Sequence, residues 1–285
     1  MTLRVVVGYD GSPIAADAIV AGTRMVPGAQ GWIAYLWGPP FASERMRQRL
    51  WANARDLDDL MAMVEREGRS EAERITAVGV ALALSAGWQA EPLLHRSFGS
   101  AGTGIVEAAK SVDADLVIVG ARGLGGADAV LGSVSDMVVH YGTRPVMVIP
   151  SPLLSAEYEA LSHGPVLVGW DGSPGAQAAI EAAARLFRDR HLVAISVDDQ
   201  TDVPLPAAPH TEATISHDRV RPGRGRPHRA VANGLLAAAD DNNAAVIVVG
   251  SRGRSAAREI ILGSVAMHTL HHSHRPVVVV PSGAR

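Results

Sequence analysis

The sequence predicts an α/β fold made of two tandem modules, each built on an open parallel sheet. Two observations support this prediction: blocks of sequence occur twice in the same order, and short apolar runs alternate with longer amphipathic segments. Strands that are apolar along their whole length are typical of parallel sheets covered by helices on both faces. We therefore expect the same strand–helix unit to be present twice.

Four repeated blocks establish the duplication. VVVGYDGSP at residues 5–13 returns as VLVGWDGSP at 166–174, and DLVIVGARG at 115–123 returns as AVIVVGSRG at 245–253. LGSV at 131–134 returns at 262–265, and RPVMVIP at 144–150 returns as RPVVVVP at 275–281. This order predicts a first module at residues 1–150, a linker at 151–163 and a second module at 164–285.

The second module is shorter in its middle. The two copies are offset by 161 residues at the first block and by 131 at the last. Residues 43–87 of the first copy carry a helical pattern. In the second copy, residues 198–226 take its place and are rich in Pro, Thr, Asp, Gly and Arg, which is typical of a loop. We expect the second module to be truncated there and to lack its second helix.

Each predicted element follows from its local pattern. Apolar runs predict strands at residues 3–7, 32–36, 92–95, 116–119 and 146–149 of the first module. Helices are expected after Pro13, near 68–86, near 101–112 and after Ser133. The second module gives strands at 166–168, 192–197, 214–220, 246–249 and 277–280. Its last strand, like that of the first module, is an apolar edge that would promote aggregation if exposed. Pairing these two edges within one chain predicts an intrachain pseudo-dimer, with a further homodimer possible.

The candidate binding sites lie in the glycine-containing loops after the strands. Parallel α/β sheets bind ligands beyond the carboxyl ends of their strands. Glycines there allow backbone N–H groups to approach an anion, and the helix that starts at Ser133 adds unpaired N–H donors. Asp10, at the end of the first strand, can accept hydrogen bonds from ribose hydroxyls. The alternative is structural: a Gly-Ser pair before a helix is an ordinary cap, and Ser133 with Asp136 fits a capping box.

These blocks resemble the universal stress protein family, in its tandem form, over nearly the whole chain. The resemblance implies Rossmann-like modules that bind adenine nucleotide, with ATP as the ligand. Nucleotide phosphates usually bring Mg²⁺, and whether they do so here is left open. The family's phosphate motif is Gly, two residues, Gly, nine residues, then Gly-Ser or Gly-Thr. The second copy matches it, whereas Gly123 and Gly132 of the first copy enclose only eight residues. Which copy binds nucleotide is left open.

The resemblance assigns the two sites residue by residue. Asp10 and Asp171 are expected near ribose, and Leu36 and Val197 against adenine. The phosphates are expected at the glycines and serines of the later loops: Gly120, Gly123, Gly132 and Ser133 in the first module, and Gly250, Gly253, Gly263 and Ser264 in the second.

Composition excludes several classes of function. The chain of 285 residues has no cysteine, which excludes disulfides, thiol catalysis and cysteine-ligated metal. Its net charge of −3 gives no general attraction to nucleic acid or to anionic lipid. Without a signal-peptide pattern or an apolar run long enough to span a bilayer, we expect a cytoplasmic protein that does not bind membranes.

Two polar clusters have simpler interpretations than function. His268, His271, His272 and His274 lie at the end of the last helix, where cationic histidine is favoured and no carboxylate is near, so a metal site is not expected. The arginines between Arg219 and Arg229 are consistent with phosphate or RNA binding. They lack interleaved aromatic residues, so a solvated loop is the preferred interpretation.

Catalytic motifs are absent from the sequence. There is no Gly-x-x-x-x-Gly-Lys-Ser/Thr loop and no Gly-x-Ser-x-Gly motif. We therefore expect an ATP-binding regulatory protein of the stress response that acts on a protein partner through a nucleotide-dependent switch, and not an enzyme. A nucleotide-free interaction module of the same fold is the alternative, and slow ATP hydrolysis stays open.

Overall fold

The computed structural model describes residues 2–38, 44–96, 100–121, 131–197, 214–253 and 262–282. The first half alternates strands with helices. Its strands are β1 (Arg4–Gly8), β2 (Gln30–Trp37), β3 (Gln89–Arg96), β4 (Leu116–Gly120) and β5 (Val146–Ile149). Its helices are α1 (Pro13–Met25), α2 (Glu44–Asn53), α3 (Leu57–Ser85), α4 (Ala101–Ser111) and α5 (Ser133–Tyr141).

A helix, α6 (Ser155–His163), lies within the predicted linker and leads into the second half. The strands of the second half are β6 (Val166–Gly169), β7 (Leu192–Val197), β8 (Ile215–Val220), β9 (Val246–Gly250) and β10 (Val277–Val280). Its helices are α7 (Pro174–Leu186), α8 (Pro227–Asp241) and α9 (Ser264–His272). Every strand expected from the sequence is therefore present, including β8 inside the stretch that otherwise reads as loop.

All strands belong to one ten-stranded sheet with the order β3-β2-β1-β4-β5-β10-β9-β6-β7-β8. Strands within each half are parallel, and the halves join where β10 pairs antiparallel with β5, with Val278 opposite Met147. The predicted pairing of the two last strands is thus confirmed. Because this pair is antiparallel, the strands of the two halves run in opposite directions, and their carboxyl ends lie on opposite sides of the sheet's midline along the strand axis.

Helices cover both faces of the sheet, as the fully apolar strands require. On one face α1, α3, α6 and α7 bury a core that includes Ile19, Ile180 and Phe187. On the other face α4, α5, α8 and α9 bury a second core that includes Val138 and Leu235. The strands between these layers, such as β4 and β9, are buried on both sides, which explains their continuous apolar sequences.

The two halves differ where α3 packs. α3 has 29 residues and lies over β2 and β3. In the described part of the second half no helix takes this position, and residues 198–213, part of the predicted truncation, lie outside the described residues. The register places His217 beside Ala194, where the first half has Pro92 beside Ile33. A polar residue thus replaces an apolar one on the face where α3 has no described counterpart.

One arginine connects the ends of three helices. Arg190, after α7, donates to the backbone oxygens of Gly164 (3.1 Å), Arg24 (3.3 Å) and Leu161. Burial lowers the pKa of its guanidinium. The carboxyl ends of α1 and α6 carry unpaired carbonyls and partial negative charge, which this cation satisfies. Arg190 therefore ties α7 in the second half to α1 in the first.

Replacing Arg190 with Gln should lower the free energy of unfolding by about 2–3 kcal/mol, because hydrogen bonds from a charged donor are lost and three carbonyls are left without it. Urea denaturation followed by circular dichroism measures the change. Arg188→Gln, an exposed neighbour, is the matched control and should shift stability by less than about 0.5 kcal/mol. Equal stability of the two variants would contradict the role given to Arg190.

Candidate functional site

A cavity opens at the carboxyl ends of the strands in each half. The chain order places β1 beside β4 and β6 beside β9, so each half has a topological switch point there, the usual ligand position in such sheets. The first cavity, bounded by Asp10, Leu36, Gly120 and Ser133, has a volume of about 260 Å³. The second cavity, bounded by Asp171, Val197, Gly250 and Ser264, has a volume of about 340 Å³.

The turn after β1 holds the side chain of Asp10 at the rim of the first cavity. Asp10 Oδ1 accepts a hydrogen bond from the N–H of Ser12 (3.0 Å), and the Ser12 hydroxyl caps α1 by accepting from the N–H of Ala15 (3.2 Å). Gly11, with φ of 82°, allows this reversal of the backbone. One oxygen of the carboxylate is thus fixed by the turn, while the residue remains exposed.

The second half repeats this turn closely. Asp171 Oδ1 accepts from the N–H of Ser173 at 2.9 Å, and Gly172 has φ of 75°. The other carboxylate oxygen, Oδ2, lies 2.9 Å from the position that a Cβ would occupy at Gly253. A side chain at residue 253 would therefore crowd the carboxylate, so glycine brings the two predicted site residues together.

Gly120 and Gly250 have a packing reason to be glycine. A Cβ on Gly120 would lie 2.6 Å from Ile14 Cγ2, and one on Gly250 would lie 2.6 Å from the carbonyl oxygen of Gly175. In each half the first turn of the helix after the first strand packs directly on the end of the fourth strand. These glycines therefore permit close packing first, and any contact with a ligand comes in addition.

Helices α5 and α9 begin at the cavities without side-chain caps. Their N-cap residues, Gly132 and Gly263, provide no side-chain hydrogen bond, whereas α1, α4 and α7 are capped by serine. The capping box expected from Ser133 and Asp136 is therefore absent. Ser133 is instead the first residue of α5, as Ser264 is of α9. No side chain among the described residues caps the N–H groups of these first turns, and the partial positive charge of a helix start favours an anion there.

Each cavity has one apolar wall, formed by a strand residue against a helical glycine. A Cβ on Gly104 of α4 would lie 2.0 Å from Leu36 Cδ2, and a Cβ on Gly234 of α8 would lie 2.7 Å from Val197 Cγ1. Ile105 and Leu235, which follow these glycines, line the same cavities. The glycines let the helices approach Leu36 and Val197 closely, which gives each cavity its apolar wall.

The structure brings the described predicted residues to the two cavities. In the first half these are Asp10, Leu36, Gly120, Gly132 and Ser133. In the second they are Asp171, Val197, Gly250, Gly253, Gly263 and Ser264. Gly123 lies outside the described residues. The functions assigned to all twelve stay predictions.

Sequence reasoning missed several residues at the second cavity. Arg252 lines it, although the repeated Arg-Gly of the loop was visible in the sequence. Ser196 also lines it, and its hydroxyl donates to the carbonyl of Trp170 (3.1 Å) and pairs with His217 Nε2 (2.8 Å). No sequence pattern pointed to Ser196 or His217, because their contact depends on the pairing of β7 with β8.

The two cavities differ in the side chain at one corresponding position and in the charge near it. Where the second has Ser196, the first has Tyr35, whose pKa is raised by burial and by the carboxylates of Glu71 and Asp10. Its hydroxyl is therefore protonated at neutral pH and can donate a hydrogen bond. Glu71 belongs to α3, which the described second half lacks, so only the first cavity has this added negative charge nearby.

The histidines near the end of α9 contact protein groups. In the part of the chain that the structure describes, no three His, Cys, Asp or Glu residues are placed to hold a metal ion. His268 forms a hydrogen bond with Asn233 Oδ1 at 3.1 Å, and burial, the neighbouring His272 and the positive Arg229 lower its pKa.

No helix among the described residues is long and apolar enough to cross a membrane.

Comparison with known proteins matches this fold and arrangement. The model of the universal stress protein family matches residues 1–150 and 226–281. A universal stress protein of Mycolicibacterium smegmatis is 33% identical over 196 residues, covering 62% of this chain and 64% of that protein. One from Mycobacterium tuberculosis is 31% identical over 186 residues, covering 59% and 62%. The matched region thus spans less than two thirds of either relative.

Among solved structures, a universal stress protein from Archaeoglobus fulgidus superimposes with a TM-score of 0.67 at 20% identity. The match covers 98% of both chains, so the tandem arrangement of this fold is shared end to end. The family model covers well over half of the sequence, in both halves. The chain belongs to the universal stress protein family.

Proposed function

We propose that this chain binds adenine nucleotide, ATP in the first instance, in both cavities and acts as a regulatory switch of the stress response. The observation that carries the proposal is the uncapped helix start at each cavity, opposite a fixed aspartate. Phosphate and ribose hydroxyls are the two chemical groups that such a pair complements. Membership of the universal stress protein family supports the same class of function.

Each part of the cavity has a role toward the nucleotide. Asp10 and Asp171 accept hydrogen bonds from ribose hydroxyls through Oδ2, the carboxylate oxygen that does not bond the turn. The first-turn N–H groups of α5 and α9, with the adjoining glycines, bind the phosphates. Leu36 and Val197 pack against the flat face of adenine. Arg252 adds a positive charge beside the phosphates of the second site, and Mg²⁺ accompanies the phosphates.

We propose binding without fast turnover. Fast hydrolysis needs a general base within hydrogen-bond reach of the attacking group. The Ser196–His217 pair is the nearest such arrangement in the described part of the second site. The Ser196 hydroxyl is buried and donates to a backbone carbonyl, so its proton already has an acceptor that is not the histidine. This geometry suits a structural bond better than a nucleophile.

The switch works through occupancy. Without a ligand, the N–H groups at the start of α5 and α9 meet water, and with nucleotide bound they hold phosphate. Ligand binding then stabilises one arrangement of these helix starts, and a protein partner that contacts them senses the difference. The chain thus reports nucleotide level to its partner without consuming the nucleotide.

Replacing Ser133 or Ser264 with Glu should each remove one nucleotide site. A carboxylate at the first residue of a helix suits the helix dipole, so the fold is retained, but it repels phosphate at the same N–H groups. We expect two nucleotides per chain in the wild type, one in each single variant and none in the double variant. Isothermal titration with ATP and Mg²⁺ measures the stoichiometry.

Ser155→Glu, the same change at the exposed first residue of α6 and away from both cavities, is the matched control and should keep both sites. Unchanged stoichiometry in the Ser133→Glu and Ser264→Glu double variant would refute the proposed sites. A wild type that binds no nucleotide would leave the interaction module as the function.

Gly104→Ala and Gly234→Ala should weaken binding by filling the apolar wall. The new methyl group at residue 104 clashes only with the flexible Leu36, since His95 Cδ2 at 3.4 Å is in ordinary contact. Leu36 therefore moves toward the cavity, and we expect about a fivefold loss of affinity at the first site. At residue 234 the methyl group also meets the carbonyl oxygen of Arg221 at 2.9 Å, so the loss at the second site should be larger. Titration of Gly104→Ala in the Ser264→Glu protein and of Gly234→Ala in the Ser133→Glu protein separates the two effects. Equal affinities with and without the alanine would contradict this geometry.

A further inference from the structure

Helix α3 extends beyond the sheet on which it packs. It has 29 residues, about 43 Å of helix, whereas β3 beneath it has 8 residues and spans about 26 Å. The two elements are level at one end, because α3 ends at Ser85 and β3 starts at Gln89. At the other end, Glu65 of α3 pairs with Arg96, the last residue of β3, at 2.7 Å. The part of α3 before Glu65 therefore reaches about 12 Å past the sheet.

The apolar face of α3 continues into this projecting part. The buried residues of the helix begin at Val64 and continue at four-residue intervals with Gly68 and Ala72. At 3.6 residues per turn, Leu57 and Met61 lie within about 60° of Val64 around the helix, so they belong to the same face. Past the end of the sheet this face loses its cover, and Leu57 and Met61 are each 63% exposed.

Helix α2 packs on α3 and adds another exposed apolar side chain. Leu50 of α2 is buried, whereas the next residue, Trp51, is 67% exposed. Single apolar residues are common on protein surfaces, but three large ones within about eleven residues are typical of a contact surface, and tryptophan is frequent at its energetic centre. We call Trp51, Leu57 and Met61 the projecting patch.

Charges of opposite sign lie beside this patch, on two different elements. Arg45 and Arg49 are exposed one turn apart on α2, and Asp56 and Asp58 are exposed at the start of α3. Among the described residues, Arg45, Arg49 and Asp58 take part in no ion pair. A basic helix followed by an acidic helix start is complementary in charge to a second copy of itself, turned by a two-fold axis.

The edges of the sheet are less suitable for association. β3, at one edge, contains Pro92, which has no N–H to donate, and β8, at the other edge, exposes Asp218. Proline and charged side chains on an edge strand oppose pairing with another chain. The described part of the second half has no counterpart of α2 or α3, so each chain offers this surface once, which limits the assembly to two chains.

We infer that two copies of this chain associate through the projecting patch as a two-fold symmetric dimer, with α2 of each copy against the start of α3 of the other. The patch residues of the two copies then remove each other from water, which supplies most of the affinity. Arg45 and Arg49 of one copy face Asp58 of the other, which fixes the orientation. This association does not require nucleotide, so its test is independent of the proposed function.

Sedimentation equilibrium of the full-length chain over a wide range of concentrations should show a reversible monomer–dimer equilibrium. Leu57→Ser with Met61→Ser should weaken the dimer at least about 100-fold, because four large apolar side chains leave each interface. Both residues are exposed, so the fold is retained, and circular dichroism verifies it. Val78→Ser with Leu84→Ser is the matched control, since these residues are 62% and 52% exposed elsewhere on α3 and should leave the dimer unchanged.

Charge reversal tests the two-fold arrangement. Arg45→Glu with Arg49→Glu, and separately Asp58→Arg, should each give a chain that does not dimerise, because like charges then face each other in both halves of the interface. An equimolar mixture of the two variants should form a heterodimer, since each contact in it joins opposite charges. Arg69→Glu with Arg74→Glu, exposed on α3 away from its projecting part, is the control and should dimerise like the wild type.

A wild type that stays monomeric at every concentration would overturn the inference and leave the patch to a different protein. A dimer that survives Leu57→Ser with Met61→Ser would show that the chains meet at another surface. Failure of the two charge variants to associate when mixed would exclude the two-fold arrangement of α2 against α3.

Discussion

The pairing of β5 with β10 is the contact on which the rest of the molecule depends. Each half ends in a short, wholly apolar strand, and neither edge can be left in water without inviting association with another chain. Joining the two edges inside one chain removes both at once and produces a single sheet of ten strands. Because the pair is antiparallel, the strands of the two halves run in opposite directions, so the two cavities open at opposite ends of the strands. Arg190 reinforces this union from the helix layer.

The candidate sites lie where the parallel strands end and where two helices begin without a side-chain cap. Parallel strands end in loops, and the close packing of α1 on β4 and of α7 on β9 requires glycine there. Serine caps α1 and α7, yet α5 and α9 start with a bare glycine. A glycine N-cap in place of serine costs stability of roughly a few tenths of a kcal/mol. That cost recurs at the same position of both halves, next to a cavity, and this recurrence is the strongest reason to interpret it as preparation for an anion.

Much of the fold followed from the sequence because it depends on local patterns that the duplication repeats. All ten strands and the pairing of the last two were predictable from apolar runs and from the exposed edge. The residues that line the cavities were predictable where they belong to repeated loops, as with Asp10 and Asp171. Ser196 and His217 were not, because their hydrogen bond depends on the register of two strands distant in sequence. The capping box offered by the sequence is absent for a related reason. The sequence has the Ser-x-x-Asp pattern, but α5 already begins at Ser133, so Gly132 and not Ser133 is its N-cap.

The covalent link between the halves has a consequence for how they can change. In an assembly of two identical subunits, every substitution appears at both sites, so a helix that is lost or a charge that is gained must suit each of them. Here α3 and the group of arginines between Arg219 and Arg229 each occur in one half only, as far as the described residues extend. Fusion has thus freed the two sites from sharing one sequence, and selection can tune them to different concentrations or different ligands within a single folded unit.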